Sequence, residues 1–314
     1  MAHPTTAALP KRPFARVVRG AALPLGLLLI IAVTWLSYCG YTNTREVPQP
    51  TTAELREHLE RATGWLFAHS AQVSKENNAM LWLFLWKAAP LTHDQRLLDM
   101  ANEYQAHFTR GTVSQFFFDS TGRESLTHQR IALGPNWDDY QRLFVYGSTC
   151  NEFVRADPGV QALLSPSGCD PNLMWLRSPW CHTHQLMGLL LVRKNHCEPG
   201  VETDQTVKAV QNAILAELRT DFRVEDAYLQ KVMMLVESGR RQDIKPVWIR
   251  RILDAQRPDG GWDGADIEAR LPGGRVLEWE GGRLYPQIKS PPPSNLHATA
   301  QGIYLLAMLL NERG

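Results

Sequence analysis

The chain has 314 residues, 44% of them apolar and 21% charged, ordinary proportions for a globular protein with ample core. Its 33 basic and 32 acidic residues leave a formal charge of +1, without the basic excess of a nucleic-acid binder, so no nucleic-acid partner is expected.

Residues 1–20 read as a cytoplasmic tail carrying Lys11, Arg12, Arg16 and Arg19. Residues 21–38 carry no charge and run Leu27-Leu-Leu-Ile-Ile-Ala-Val33 through their middle. A stretch of this length is expected to span a bilayer core of ~30 Å. The basic residues before it, against Arg45 alone close behind, place everything after it outside the cytoplasm. The expectation is a single-pass anchor over 21–39 in the cytoplasmic (inner) membrane, touching lipid through 21–38, with a periplasmic domain. Trp35-Leu-Ser-Tyr38 lacks the small residues of a signal-peptidase site, so the anchor is expected to stay uncleaved. Tyr38 also departs from the small residue that precedes the cysteine of a lipoprotein box, which argues against lipidation of Cys39.

Residues 40–51 read as a Pro/Thr-rich linker, and 52–314 as one helical domain. Thr51 and Glu54 make a capping box, followed by Leu55, Leu59, Ala62 and Leu66 at helical spacing. Residues 77–88 form a short helix apolar on every side, which must be buried on every side. Thr92 is expected to cap an amphipathic helix reaching about Phe108. Further helical patterns cover 137–147, 182–192, 203–219, 224–238, 246–256 and 295–312. Thr112–Asp119 reads as strand, and Arg275–Tyr285 as a β-hairpin turning at Gly281-Gly282, both as decorations between helices.

Cys150, Cys169, Cys181 and Cys197 lie beyond the apolar run, and an even number outside the cytoplasm predicts disulfides. Three pairings are possible. Cys181–Cys197 is disfavoured, because the two flank a predicted helix about 16 Å long.

Buried helices alternating with amphipathic ones suggest two concentric layers, an inner ring and an outer one facing water. Within this pattern Ile252-Leu-Asp-Ala-Gln256-Arg-Pro-Asp-Gly260-Gly-Trp262 resembles the QW motif of squalene-cyclase and prenyltransferase-like α/α toroids. Gln256, Gly260 and Trp262 match it, and Arg251 departs from the aromatic ring preferred upstream. Asn295-Leu-His297-Ala-Thr299-Ala resembles the opening of inner helices in the same family. The resemblance implies an all-α fold, an α/α toroid with small β-hairpin insertions, and a structural role for Gln256 and Trp262. It does not carry terpene cyclisation, because Trp137-Asp138-Asp139-Tyr140 fits neither acid motif of those enzymes. Cys181-His182-Thr183 lacks the Gly of the lanthionine-cyclase zinc site.

Inner helices of a toroid run parallel, so polar groups opening apolar helices should gather at one rim, where the helix dipoles favour anions or polarised oxygens. Asn77-Asn78, His182-Thr-His184-Gln and Asn295-Leu-His297 are such openings. His184, His297, Asp259 and Glu278 are the candidate catalytic residues. Asn78, His182, Trp262 and Trp279 are the candidate substrate-binding ones, the tryptophans as platforms for sugar rings. His-x-His on a helix sets two rings about 200° apart, which disfavours a shared ion, so neither metal nor other cofactor is expected. The function expected is action on a saccharide or other cell-envelope substrate. The alternative is a non-catalytic envelope protein that binds a glycan or protein partner through the rim.

Overall fold

The computed structural model describes residues 14–134, 136–169, 178–221, 226–263, 268–270, 276–278, 287–289 and 293–311. The chain is mostly helical. Helix α1 (Phe14–Thr44) is followed by α2 (Thr52–Ala68), the single turn α3 (Ser70–Val73), α4 (Ala79–Thr92) and α5 (Gln95–Tyr104). The short α6 (Gln115–Phe118), α7 (Asp139–Thr149), α8 (Glu152–Arg155) and α9 (Pro158–Leu164) come next. The remainder holds α10 (Cys181–Lys194), α11 (Gly200–Leu218), α12 (Asp226–Glu237), α13 (Pro246–Ala255) and α14 (Leu296–Asn311).

The expected membrane span is overturned: among the described residues no helix is long and apolar enough to cross a membrane. Past Val33 the helix is diluted by Thr34, Ser37, Tyr38, Thr42, Asn43 and Thr44. Helix α1 instead runs past them into the segment expected as a linker, and its last turns join the folded domain. Cys39 and Asn43 are buried there. The Asn43 side chain donates to the Asp221 carbonyl at 2.9 Å, and the Asn43 backbone carbonyl accepts from Trp248 Nε1 at 2.9 Å. Cys39 is a free thiol whose pKa is raised by burial.

The capping box at Thr51 and Glu54 is present, and the buried face of α2 carries Leu55, Leu59, Ala62 and Leu66. Helix α4 buries Met80 through Leu85 without interruption, as an all-apolar helix must. It runs through Thr92, so the next helix is capped by Asp94, whose side chain accepts from the Arg96 N–H. The expected strand at 112–119 is instead α6. Phe116, Phe117 and Phe118 are all buried, and a strand would turn the middle one to the opposite face. This turn is no decoration, since it packs between α4 and α7.

Helix packing follows a closed order. Helix α4 touches α14, α14 touches α12, α12 touches α10, and α10 touches α7, while α6 links α7 back to α4. Outside this ring α2 packs on α14, α5 on α4, α9 on α7, α11 on α10 and α12, and α13 on α12. Outer and inner helices thus alternate along the chain, an arrangement compatible with an all-helical toroid. The stripe-faced outer helices cover the inner ones, which explains why the latter can be apolar all round.

Between α13 and α14 lies a small antiparallel sheet, β1 (Glu268–Arg270), β2 (Val276–Glu278) and β3 (Gln287–Lys289), in that order. The first arm of the expected hairpin falls on β2. Its partner starts at Gln287, beyond the expected Tyr285, and the Gly281-Gly282 turn lies outside the described residues.

Two disulfides, Cys150–Cys197 and Cys169–Cys181, fix the two ends of α10. The disfavoured Cys181–Cys197 pairing is not made. Both bridges point to an oxidising compartment outside the cytoplasm.

Candidate functional site

Helices α4, α7, α10, α12 and α14 begin around a half-enclosed cavity of about 490 Å³. Its polar edge is made by Asn77 and Asn78 before α4, His184 in the first turn of α10, Gln230 of α12 and His297 of α14. Tyr104, Trp137, Tyr140 and Phe144 supply aromatic walls, and Met80, Phe117 and Met187 are the floor.

His184 is held by its own helix: its Nδ1 lies 2.8 Å from the Trp180 carbonyl. A carbonyl only accepts, so Nδ1 carries the proton and Nε2 keeps its lone pair. The ring lies 4.3 Å, centroid to centroid, from Tyr140 and 6.1 Å from Phe144. This enclosure lowers the His184 pKa to about 4, chiefly by desolvation, with repulsion from His297 acting in the same direction. His184 is therefore neutral at physiological pH.

His297 is oriented differently. Its Nε2 lies 3.3 Å from Asp226 Oδ2, and Gln301 Nε2 donates to Asp226 Oδ1 at 2.6 Å. Asp226 opens α12 as His297 opens α14, so neighbouring inner helices meet through their first turns. The Asp226 carboxylate thus stands beside His297 Nε2, where it favours a proton on that nitrogen.

The tyrosine hydroxyls stay protonated. Burial pushes Tyr104 and Tyr140 each up to about 12, with Glu76 adding to the first and Asp138 to the second. Tyr104 donates to Asn77 Oδ1 at 3.0 Å, and Asn78 caps α4 by accepting from the Met80 N–H at 3.2 Å. Among the described residues the lining holds one carboxylate, Glu76. No group of three or more His, Cys, Asp or Glu suited to a metal ion is found among the described residues.

The structure thus brings Asn78, His184 and His297 together, and separates His182, Asp259 and Trp262 from them. His182 points away from the cavity, as the helical spacing requires: its Nδ1 lies 2.6 Å from Glu217 Oε1 on α11. Glu217 and Asp221 in turn hold the fully buried Lys231 at 3.0 and 2.7 Å, a charge network behind the ring. Asp259 is exposed and occupied in a turn, where its Oδ1 accepts from Ser294 Oγ at 2.6 Å and the Gly261 N–H at 3.2 Å. Trp262 is buried, with Nε1 donating to the Ile252 carbonyl at 2.9 Å, so it is no sugar platform. The Glu278 backbone lies in β2 and its side chain falls outside the described residues, as does Trp279.

The Gln256–Trp262 segment does the structural work its sequence implies. Gln256 Nε2 donates to the Gly260 carbonyl at 2.7 Å and to the His58 carbonyl at 2.8 Å, tying the end of α13 to α2. Gly260 has φ +100°, and a Cβ there would stand 2.4 Å from the Arg61 carbonyl oxygen, so only glycine fits.

Sequence reasoning did not select Asp226, Gln230, Tyr104, Trp137 or Tyr140 as site residues. Asp226 and Gln230 carried the signal used for the histidines, polar groups in the first turns of an apolar helix. The aromatic residues carried none, since their facing depends on the order of helices in the ring. Compared with known protein families, curated proteins and solved structures, the chain matches none.

Proposed function

We propose that this chain is a periplasmic protein that takes a cell-envelope saccharide into the cavity at the helix starts and acts on it by histidine-borne proton transfer. The observation that carries this reading is the pairing of His297 with Asp226 beside a neutral His184, within aromatic walls. Aromatic faces stack on sugar rings, while Asn78, Gln230 and the tyrosine hydroxyls match a hydroxyl-rich ligand. His297 Nδ1 takes a proton from a substrate hydroxyl or a water, and the resulting imidazolium is stabilised by Asp226 and returns the proton later. His184 Nε2 accepts a hydrogen bond from a second hydroxyl. Among the described residues the lining holds one carboxylate, whereas two-acid glycoside hydrolysis uses two that face each other across the bond. That same observation favours, as a second reading, binding without catalysis. The Gln256 and Trp262 ties support kinship with squalene-cyclase-like toroids.

The test is titration with N-acetylhexosamine and glucose oligosaccharides, read by calorimetry and by product analysis. Binding is expected to weaken about 10- to 100-fold in His297→Ala, as for loss of one or two strong hydrogen bonds, with little change in melting temperature. Turnover is expected to vanish in Asp226→Asn while binding persists. Binding without turnover in the parent leaves the second reading standing, and absence of saccharide binding rejects both.

A further inference from the structure

The inner helices end, as they begin, around a hollow. A second cavity of about 270 Å³ opens at the opposite rim. Leu83, Leu190 and Met234 form its walls, and Lys87, Arg193, Lys194 and Glu237 stand at its edge. Met80, Phe117 and Met187 line both cavities and so partition them.

The charges at this edge are unevenly matched. Lys87 Nζ lies 2.5 Å from Glu237 Oε1 and 5.7 Å above the Tyr304 ring. Arg193 is 3.7 Å from Asp204. Lys194 is exposed and makes no ion pair among the described residues; partial desolvation and the like charges of Lys87 and Arg123 lower its proton affinity, against an opposing pull from Glu237. Cations near helix C-termini complement the dipole, which accounts for their presence but not for an apolar hollow beneath them. Capping requires no cavity. An unpaired cation at the mouth of an apolar pocket is the arrangement that receives an anionic head and its hydrocarbon chain.

We propose that the cavity at the helix ends binds a single-chain anionic amphiphile, its head at Lys194 and its acyl chain against Leu83, Leu190 and Met234. Met187 and Met234, unbranched and adaptable, let the pocket accept chains of different length and shape. Carboxylate and phosphate heads share the required chemistry, so a free fatty acid and a lipid phosphate are the two sources. The site does not depend on the saccharide reading, since it uses none of the residues that line the polar edge of the first cavity.

The experiment is calorimetric titration of the full-length protein with laurate and with dodecyl phosphate. Inorganic phosphate serves as the head alone, and dodecyl maltoside as the chain with a neutral head. Both anionic amphiphiles are expected to bind at least about tenfold more tightly than either control, the discrimination one charge-assisted contact provides. A preference between them identifies the head, and equal binding means that charge alone is read; each supports the site. Lys194→Gln, at an exposed position, is expected to remove the preference over dodecyl maltoside. Met234→Trp, which fills the hollow, is expected to abolish binding of all three chains, with thermal melting reporting that the fold persists. His297→Ala is expected to leave laurate binding unchanged, so failure here and failure of the saccharide reading are separate results. Dodecyl maltoside binding as tightly as laurate, phosphate alone binding as tightly as dodecyl phosphate, or an unchanged Lys194→Gln overturns the proposal.

Discussion

The two rims of the ring are built by the same helices and differ in kind. Where the helices start, hydrogen-bonding groups gather: Asn78, His184, Gln230 and His297 face aromatic rings. Where they end, the walls are aliphatic and the charges are Lys87, Arg193, Lys194 and Glu237. The floor of Met80, Phe117 and Met187 keeps these environments apart over the width of a side-chain layer. The contrast follows from helix polarity. Free N–H groups and a positive dipole end accept neutral imidazoles and amides, whereas free carbonyls at the other end attract cations. One ring of parallel helices therefore offers two chemically distinct pockets without any change of fold.

The disulfides give the strongest handle on this contrast, because each secures one rim. Cys169–Cys181 holds the start of α10 and Cys150–Cys197 its end, with sequence separations of 12 and 47. Loop-closure entropy puts the cost of removing them at about 3 and about 4 kcal/mol respectively. Denaturant unfolding of Cys169→Ala/Cys181→Ala and Cys150→Ala/Cys197→Ala is expected to show this order. Each variant should loosen its own cavity first, as read by hydrogen exchange at the ends of α10. Equal loosening of both rims in both variants would show that the ring yields as a unit.

A smaller effect separates the rims by pH. His184 has its pKa lowered from the ordinary 6.5 to about 4, so between these values the unfolded chain binds the extra proton and the folded one does not. Its contribution is thus complete above about pH 6.5 and is lost as pH falls toward 4, by roughly 2–3 kcal/mol. His184→Phe, packing against Tyr140 and Phe144, is expected to flatten this part of the stability–pH curve. A curve identical to the parent's would place the acid sensitivity elsewhere.

The smallest effect is expected at the far rim, where Lys87 and Glu237 are 26% and 15% exposed. Partial solvent screening limits such a pair to about 1 kcal/mol. A double-mutant cycle of Lys87→Met and Glu237→Gln measures it. A much larger coupling would mean that this rim is as dry as the other.

Most of the helices, the Thr51–Glu54 box, the exclusion of a Cys181–Cys197 bridge, and Asn78, His184 and His297 as polar openings of apolar helices are legible in the residue order. These features are local: spacing of 3.6 residues, a cap, or the length of one helix suffices to read them. Only the packed helices show that α6 is a ring element and that the end of α1 docks by Asn43. They also show that His182 serves the buried Lys231 network and that Asp226 orients His297. Periodicity says which face of a helix is apolar but not which neighbour covers it. A polar group one turn into a helix finds its partner only when the order of helices around the ring is set.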